Sequence, residues 1–69
     1  MFTFQPLRDY LDLKGLSVKR LMKELGFSTN VAVALNNDRE VRLEHIAKIC
    51  NHLDLPIESV VEILPKTDA

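Results

Sequence analysis

The sequence predicts an all-α domain of five short helices, and three observations predict it. At 69 residues the chain has room for one core and no second domain. Its apolar residues recur at i, i+3, i+4 and i+7 in five successive segments, with no strand pattern long enough to build a sheet. Those segments are punctuated by residues that start and stop helices: Gly15, Ser17, Gly26, Ser28, Pro56 and Pro65. A chain of this size buries only about 60% of the surface its unfolded form exposes, so packing must be efficient or a second copy must help.

Each helix follows from its own residues. Leu7, Tyr10, Leu11 and Lys14 make the first stripe, with Arg8, Asp9 and Asp12 opposite and Gly15 as the stop. Ser17 stands where an N-cap belongs, because its hydroxyl can accept from the free amides of the next turn. Val18, Leu21, Met22 and Leu25 then repeat the spacing up to Gly26. Ser28 caps a shorter third helix in which Val31, Ala32 and Leu35 face inward, and Asn36 and Asn37 end it. After a loop from Asp38 to Arg42, the stripe Leu43, Ile46, Ala47, Cys50 and Leu53 defines the fourth. Pro56 opens a fifth whose Ile57, Val60, Val61 and Leu64 face the core, closed by Pro65. The organisation expected is an N-terminal arm over 1–6, a domain over 7–64 and a tail over 65–69. In the arm, Phe2, Thr3 and Phe4 alternate apolar and polar, so it is expected to run extended and pack its rings on the core or on a neighbouring molecule.

Composition excludes several classes. Cys50 is the only cysteine, so no intramolecular disulfide forms, and a reducing cytoplasm fits. Met1 to Pro6 lacks the basic start and apolar run of a signal peptide, and no apolar stretch approaches the ~18 residues of a membrane span. His45, Cys50 and His52 fall at i, i+5 and i+7, which does not place all three on one helical face, so no metal site is expected. There is no Gly-rich phosphate loop and no Ser, His and acid set marked as a triad, so neither an enzyme nor a cofactor is expected.

The formal net charge of -1 is awkward for a binder of nucleic acid, which is usually basic. Its distribution is uneven. Lys14, Lys19, Arg20, Lys23, Arg39 and Arg42 crowd the segment from Leu13 to Arg42, against only Glu24, Asp38 and Glu40. A one-sided electrostatic footprint needs such asymmetry, although a solvated helix face produces the same count.

The second and third segments are separated only by Gly26, Phe27 and Ser28, so two amphipathic helices must cross steeply there, leaving the outer face of the third free. With the Gly15-Leu16-Ser17 lead-in, the Leu25-Gly26-Phe27-Ser28 turn, Leu35 and the Leu43-to-Cys50 helix with its Leu53-Asp54 exit, the chain resembles the Cro/phage-repressor (Xre-type) family of helix-turn-helix regulators. The likeness runs from Leu7 to Leu64 and implies a lambda-repressor-like DNA-binding fold. Two departures occur together: Met22 stands where a small Ala is usual, and Ala32 where a larger Val or Ile is usual. They are read as a volume-conserving exchange across the turn, so that Ala32→Val should destabilise alone and be partly rescued by Met22→Ala.

The resemblance carries the DNA-reading positions onto Thr29, Asn30, Val33 and Ala34. Asn can pair with adenine, Thr with several base edges, and Val or Ala can meet a thymine methyl. Phosphate contacts would fall to Ser17, Lys19, Arg20 and Lys23 around the second helix, with Lys14 before it, and to Asn37, Arg39 and Arg42 after the third. Ordinary solubilising lysines would look the same, and Val18 replaces a Gln that the family often uses for a phosphate. Double-stranded DNA is thus the implied partner, read by a homodimer at a near-palindromic operator, since one small helix contacts too few base pairs for useful specificity. Phe2, Phe4, Ile57, Val60, Ile63 and Leu64 are the expected dimer or partner interface. An alternative remains open: a phage-type antirepressor or modulator that binds a heterologous repressor and blocks its DNA surface. It is motivated by the apolar Val31-to-Leu35 run and a pI near 6.0.

Overall fold

In the computed structural model, which describes residues 1–66, four α-helices are closed by a small sheet. Along the chain come β1 (Phe2–Thr3), α1 (Gln5–Leu13), α2 (Val18–Leu25), α3 (Thr29–Asn36), α4 (Leu43–Leu53), a 3-10 turn (Ile57–Ser59) and β2 (Glu62–Ile63). Residues 67–69 of the expected tail lie outside the described residues.

The four helix ends share one device. Gly15, Gly26, Asp38 and Asp54 each take a left-handed backbone, with φ of 70, 70, 56 and 55°. The amide that follows each of them returns to a carbonyl five residues back: Leu16 to Leu11 at 2.8 Å, and Phe27 to Met22, Arg39 to Ala34 and Leu55 to Cys50, each at 2.9 Å. This satisfies carbonyls that a helix end would otherwise leave unpaired. Two of the four use Asp, which tolerates this conformation less well than Gly but better than most side chains.

The expected fifth helix is not formed. One 3-10 turn follows Pro56, and the chain then runs extended into β2. Four of the seven residues from Ile57 to Ile63 are β-branched Ile or Val, stiff side chains that disfavour helix, and Pro65 biases Leu64 toward extended backbone. β2 pairs antiparallel with β1, Phe2 opposite Ile63 and Thr3 opposite Glu62, and the Leu64 amide donates to the Met1 carbonyl at 3.0 Å. The arm is therefore a strand of the domain rather than a free extension, and α1 begins at Gln5 with Pro6 in its first turn.

Phe4, Leu7, Leu11, Leu21, Leu35, Ile49 and Val60 form the centre of the core. Phe4 and Val60, expected at an interface with another molecule, are 1% and 0% exposed and belong to the chain's own interior. In α4 the buried stripe is Ile46, Ile49, Cys50 and Leu53. Leu43 and Ala47, assigned inward from the sequence, are exposed. Both stripes satisfy helical spacing, and only the packing partners choose between them.

Candidate nucleic-acid interface

The Ser17 side chain accepts from the Arg20 amide at 3.1 Å, fixing the start of α2. Val18, Leu21 and Met22 are buried beneath that helix, while Lys19, Arg20 and Lys23 stay exposed. Gly26 then turns the corner, and Phe27 stacks on His45 of α4 at 4.7 Å between ring centroids. Ser28 sits at the N-cap position of α3, but its hydroxyl makes no capping bond.

An open groove lies between α2 and α3. Ser17, Lys19, Arg20, Lys23 and Glu24 line it from α2 and its cap, Thr29, Ala32, Val33 and Asn36 from α3, and Met22 and Phe27 at its apolar base. Thr29, Asn30, Val33, Asn36 and Asn37 are the exposed residues of α3 and its end. Of the residues expected to face outward, Thr29, Asn30 and Val33 do so. Ala34 does not: it is 8% exposed, because Val31, Ala34 and Leu35 share the inward face. The sequence reading passed over Asn36, which falls at i+7 from Thr29 and therefore on the groove side.

Basic residues flank this face. Among the described residues, Lys19, Lys23 and Arg39 have no carboxylate within ion-pair distance, whereas Arg20 pairs with Glu24 at 3.3 Å and Arg42 approaches Glu44 at 3.7 Å. Arg42 and Glu44 are largely exposed, so their pairing contributes little and leaves the arginine available. Asn37 turns back on its own helix, its side-chain amide donating to the Val33 carbonyl at 2.8 Å. The two residues of the Met22–Ala32 exchange line the same groove. Met22 is buried and Ala32 half-buried against the core.

The C-terminal end of α3 is held by residues the sequence did not single out. Arg8 of α1 donates from Nη1 to the Leu35 carbonyl and to Asp38 Oδ1, the latter at 2.9 Å. The Phe4 amide donates to the same carboxylate oxygen at 2.8 Å. Arg8, then the Phe4 amide, lower the Asp38 carboxyl from its ordinary 3.8 to about 2. One aspartate thus ties both the start and the first turns of α1 to the end of α3.

A family model for the Cro/C1-type HTH DNA-binding domain matches residues 6–66. The chain belongs to this family. No curated protein and no solved structure matched it. In the Cro/C1-type domain, α2 and α3 are the two helices of the helix-turn-helix, and Gly26 to Ser28 is their turn. No helix among the described residues is long and apolar enough to cross a membrane.

Proposed function

We propose that this Cro/C1-type domain is a sequence-specific transcriptional regulator that reads a near-palindromic operator as a homodimer, with α3 in the major groove. The observation that carries the reading is the outer face of α3, where Thr29, Asn30, Val33 and Asn36 stand exposed beside Lys19 and Lys23. Thr and Asn supply donors and acceptors for base edges, Val33 an apolar contact for a thymine methyl, and the lysines charge for phosphates. Ser17, Arg20, Arg39 and Arg42 complete the phosphate set. Asn37 joins it through the second N–H of its side-chain amide, the first being donated to the Val33 carbonyl. Ile57 and Ile63, 47% and 77% exposed, with Phe2 and Leu64 beside them, are the proposed dimer surface.

The antirepressor reading rested on an apolar outer face for α3 and on a pI near 6.0, and the structure bears on the first. With Ala34 and Leu35 buried and Val31 and Ala32 half-buried, Val33 is the one apolar residue exposed on that helix, so DNA reading has the better support. Titration against the DNA upstream of its own coding sequence, over a salt series, tests the choice. A regulator loses affinity with a log-log slope of about -0.9 per phosphate neutralised. No DNA binding, beside a tight complex with a co-encoded repressor, would refute the proposal.

A further inference from the structure

Glu24 is an unexpected residue on a surface that faces phosphates. It lines the same groove as Lys19, Arg20 and Lys23, where a carboxylate repels DNA. Both of its oxygens are occupied. Oε2 accepts from Arg20 Nε at 3.3 Å, one turn back on α2, and Oε1 lies 2.9 Å from His52 Nε2 on α4. An ionised carboxylate has no proton to give, so the imidazole is the donor. The His52 bond first, and then the Arg20 bond, hold the Glu24 carboxyl below its usual range, which keeps it ionised at neutral pH.

The charge of this trio depends on one proton. With His52 neutral, Arg20 and Glu24 cancel; with His52 protonated, the trio carries one positive charge. Arg20 commits only its Nε to Glu24, and its side chain is 69% exposed, so both terminal nitrogens remain free for a phosphate. We infer that proton uptake by His52 switches off the repulsion from Glu24 and leaves Arg20 uncompensated, so that DNA affinity rises as pH falls through the imidazole range. The inference rests on the DNA-binding reading.

Among the described residues, none of the other groups around His52 bonds to Glu24. On α2, Lys19 and Lys23 are cationic throughout this range. On α4, Lys48 lies one turn before His52 and is likewise cationic, while His45 lies two turns before and stacks on Phe27 without a carboxylate partner among the described residues. The groove residues of α3 are uncharged. One unit charge within a Debye length of a phosphate changes affinity by about two-fold, and two protomers on one operator by about four-fold.

The test is DNA affinity at fixed ionic strength at about pH 8 and about pH 5.5, the span over which histidine side chains as a class change charge. Wild type should bind about four-fold more tightly at the lower pH. His52→Gln, which can still donate to Glu24 but does not titrate, should lose that gain. Glu24→Gln should bind more tightly than wild type at the higher pH, and His45→Gln, which leaves the trio intact, should retain a gain of about four-fold. Far-UV circular dichroism checks that each variant is folded. A His52→Gln profile equal to wild type, or Glu24→Gln no tighter at the higher pH, overturns the inference alone. Failure of wild type to bind DNA at either pH overturns the DNA-binding reading and the inference with it.

Discussion

Truncating Phe4 separates the two roles open to the N-terminal arm, since a ring on a neighbour and a ring in the core respond differently. The side chain is 1% exposed and meets the Phe2 ring edge-on at 5.6 Å and 85°. Cutting a buried Phe to Ala costs about 3 to 5 kcal/mol in a packed interior, including the cavity left behind. A chain of this length has a total stability of about 3 to 10 kcal/mol, so Phe4→Ala should leave the domain barely folded. At about 4 to 8 °C per kcal/mol, the melting temperature should fall by at least about 12 °C. Thermal and urea unfolding followed by circular dichroism, at two protein concentrations tenfold or so apart, reads both size and origin of the loss. A core role gives the same drop at both concentrations; an interface role gives a drop that shrinks on dilution, as the wild type loses its partner too. Leu13→Ala, at a residue 82% exposed, should stay within about 0.5 kcal/mol of wild type. A Phe4→Ala variant that melts within about 4 °C of its parent would refute the assignment of this ring to the core.

Three further outcomes are expected. Gly26→Ala should lose about 1 to 2 kcal/mol in urea unfolding, because the position has φ of 70° and an added Cβ meets nothing, so backbone strain alone is at work; D-alanine, introduced by chemical synthesis, should not show the loss. The Asp38 carboxyl is held at about 2 in the folded chain against an ordinary 3.8, so its contribution to stability is complete above about pH 4, shrinks as pH falls and is gone below about pH 2. Urea midpoints across that window should fall with pH in wild type and fall less in Asp38→Asn. For DNA binding, Lys23→Ala should reduce the steepness of the salt dependence by about 0.9 per protomer, whereas Asn30→Ala should change the preferred sequence and leave the slope unaltered.

The helix-turn-helix was readable before any coordinates because its signals are local. Ser17, the apolar spacing of Val18 to Leu25, and Gly26 act within one or two turns of chain, and the structure places each as the sequence predicts. What could not be read depends on distant partners. The sequence turns Val60 toward the core and leaves the Phe4 ring between the core and a neighbour, but nothing local announces that the two share one interior, since they come from opposite ends of the domain. The same holds for Arg8 and Asp38, which look like ordinary surface charges until the fold brings them to 2.9 Å. Ala34 is a problem of phase: a run of five small or apolar residues from Val31 to Leu35 gives helical periodicity little contrast, so its inward side is set by what it packs on. In the last segment, apolar spacing alone suggested a helix, and it was the β-branched composition of Ile57 to Ile63 that pointed to the extended chain observed.

The pairing of β1 with β2 bears on how this domain is made in a cell. A ribosome delivers Phe2 and Thr3 before the four helices and Glu62 and Ile63 after them. Until that last stretch leaves the exit tunnel, the nascent helices can form and touch, but Phe4 and Leu7 lack Val60, which completes the interior they share. Closure is consequently a late event in synthesis, and a transcript truncated before Val60 should yield a product for proteases rather than a weaker regulator.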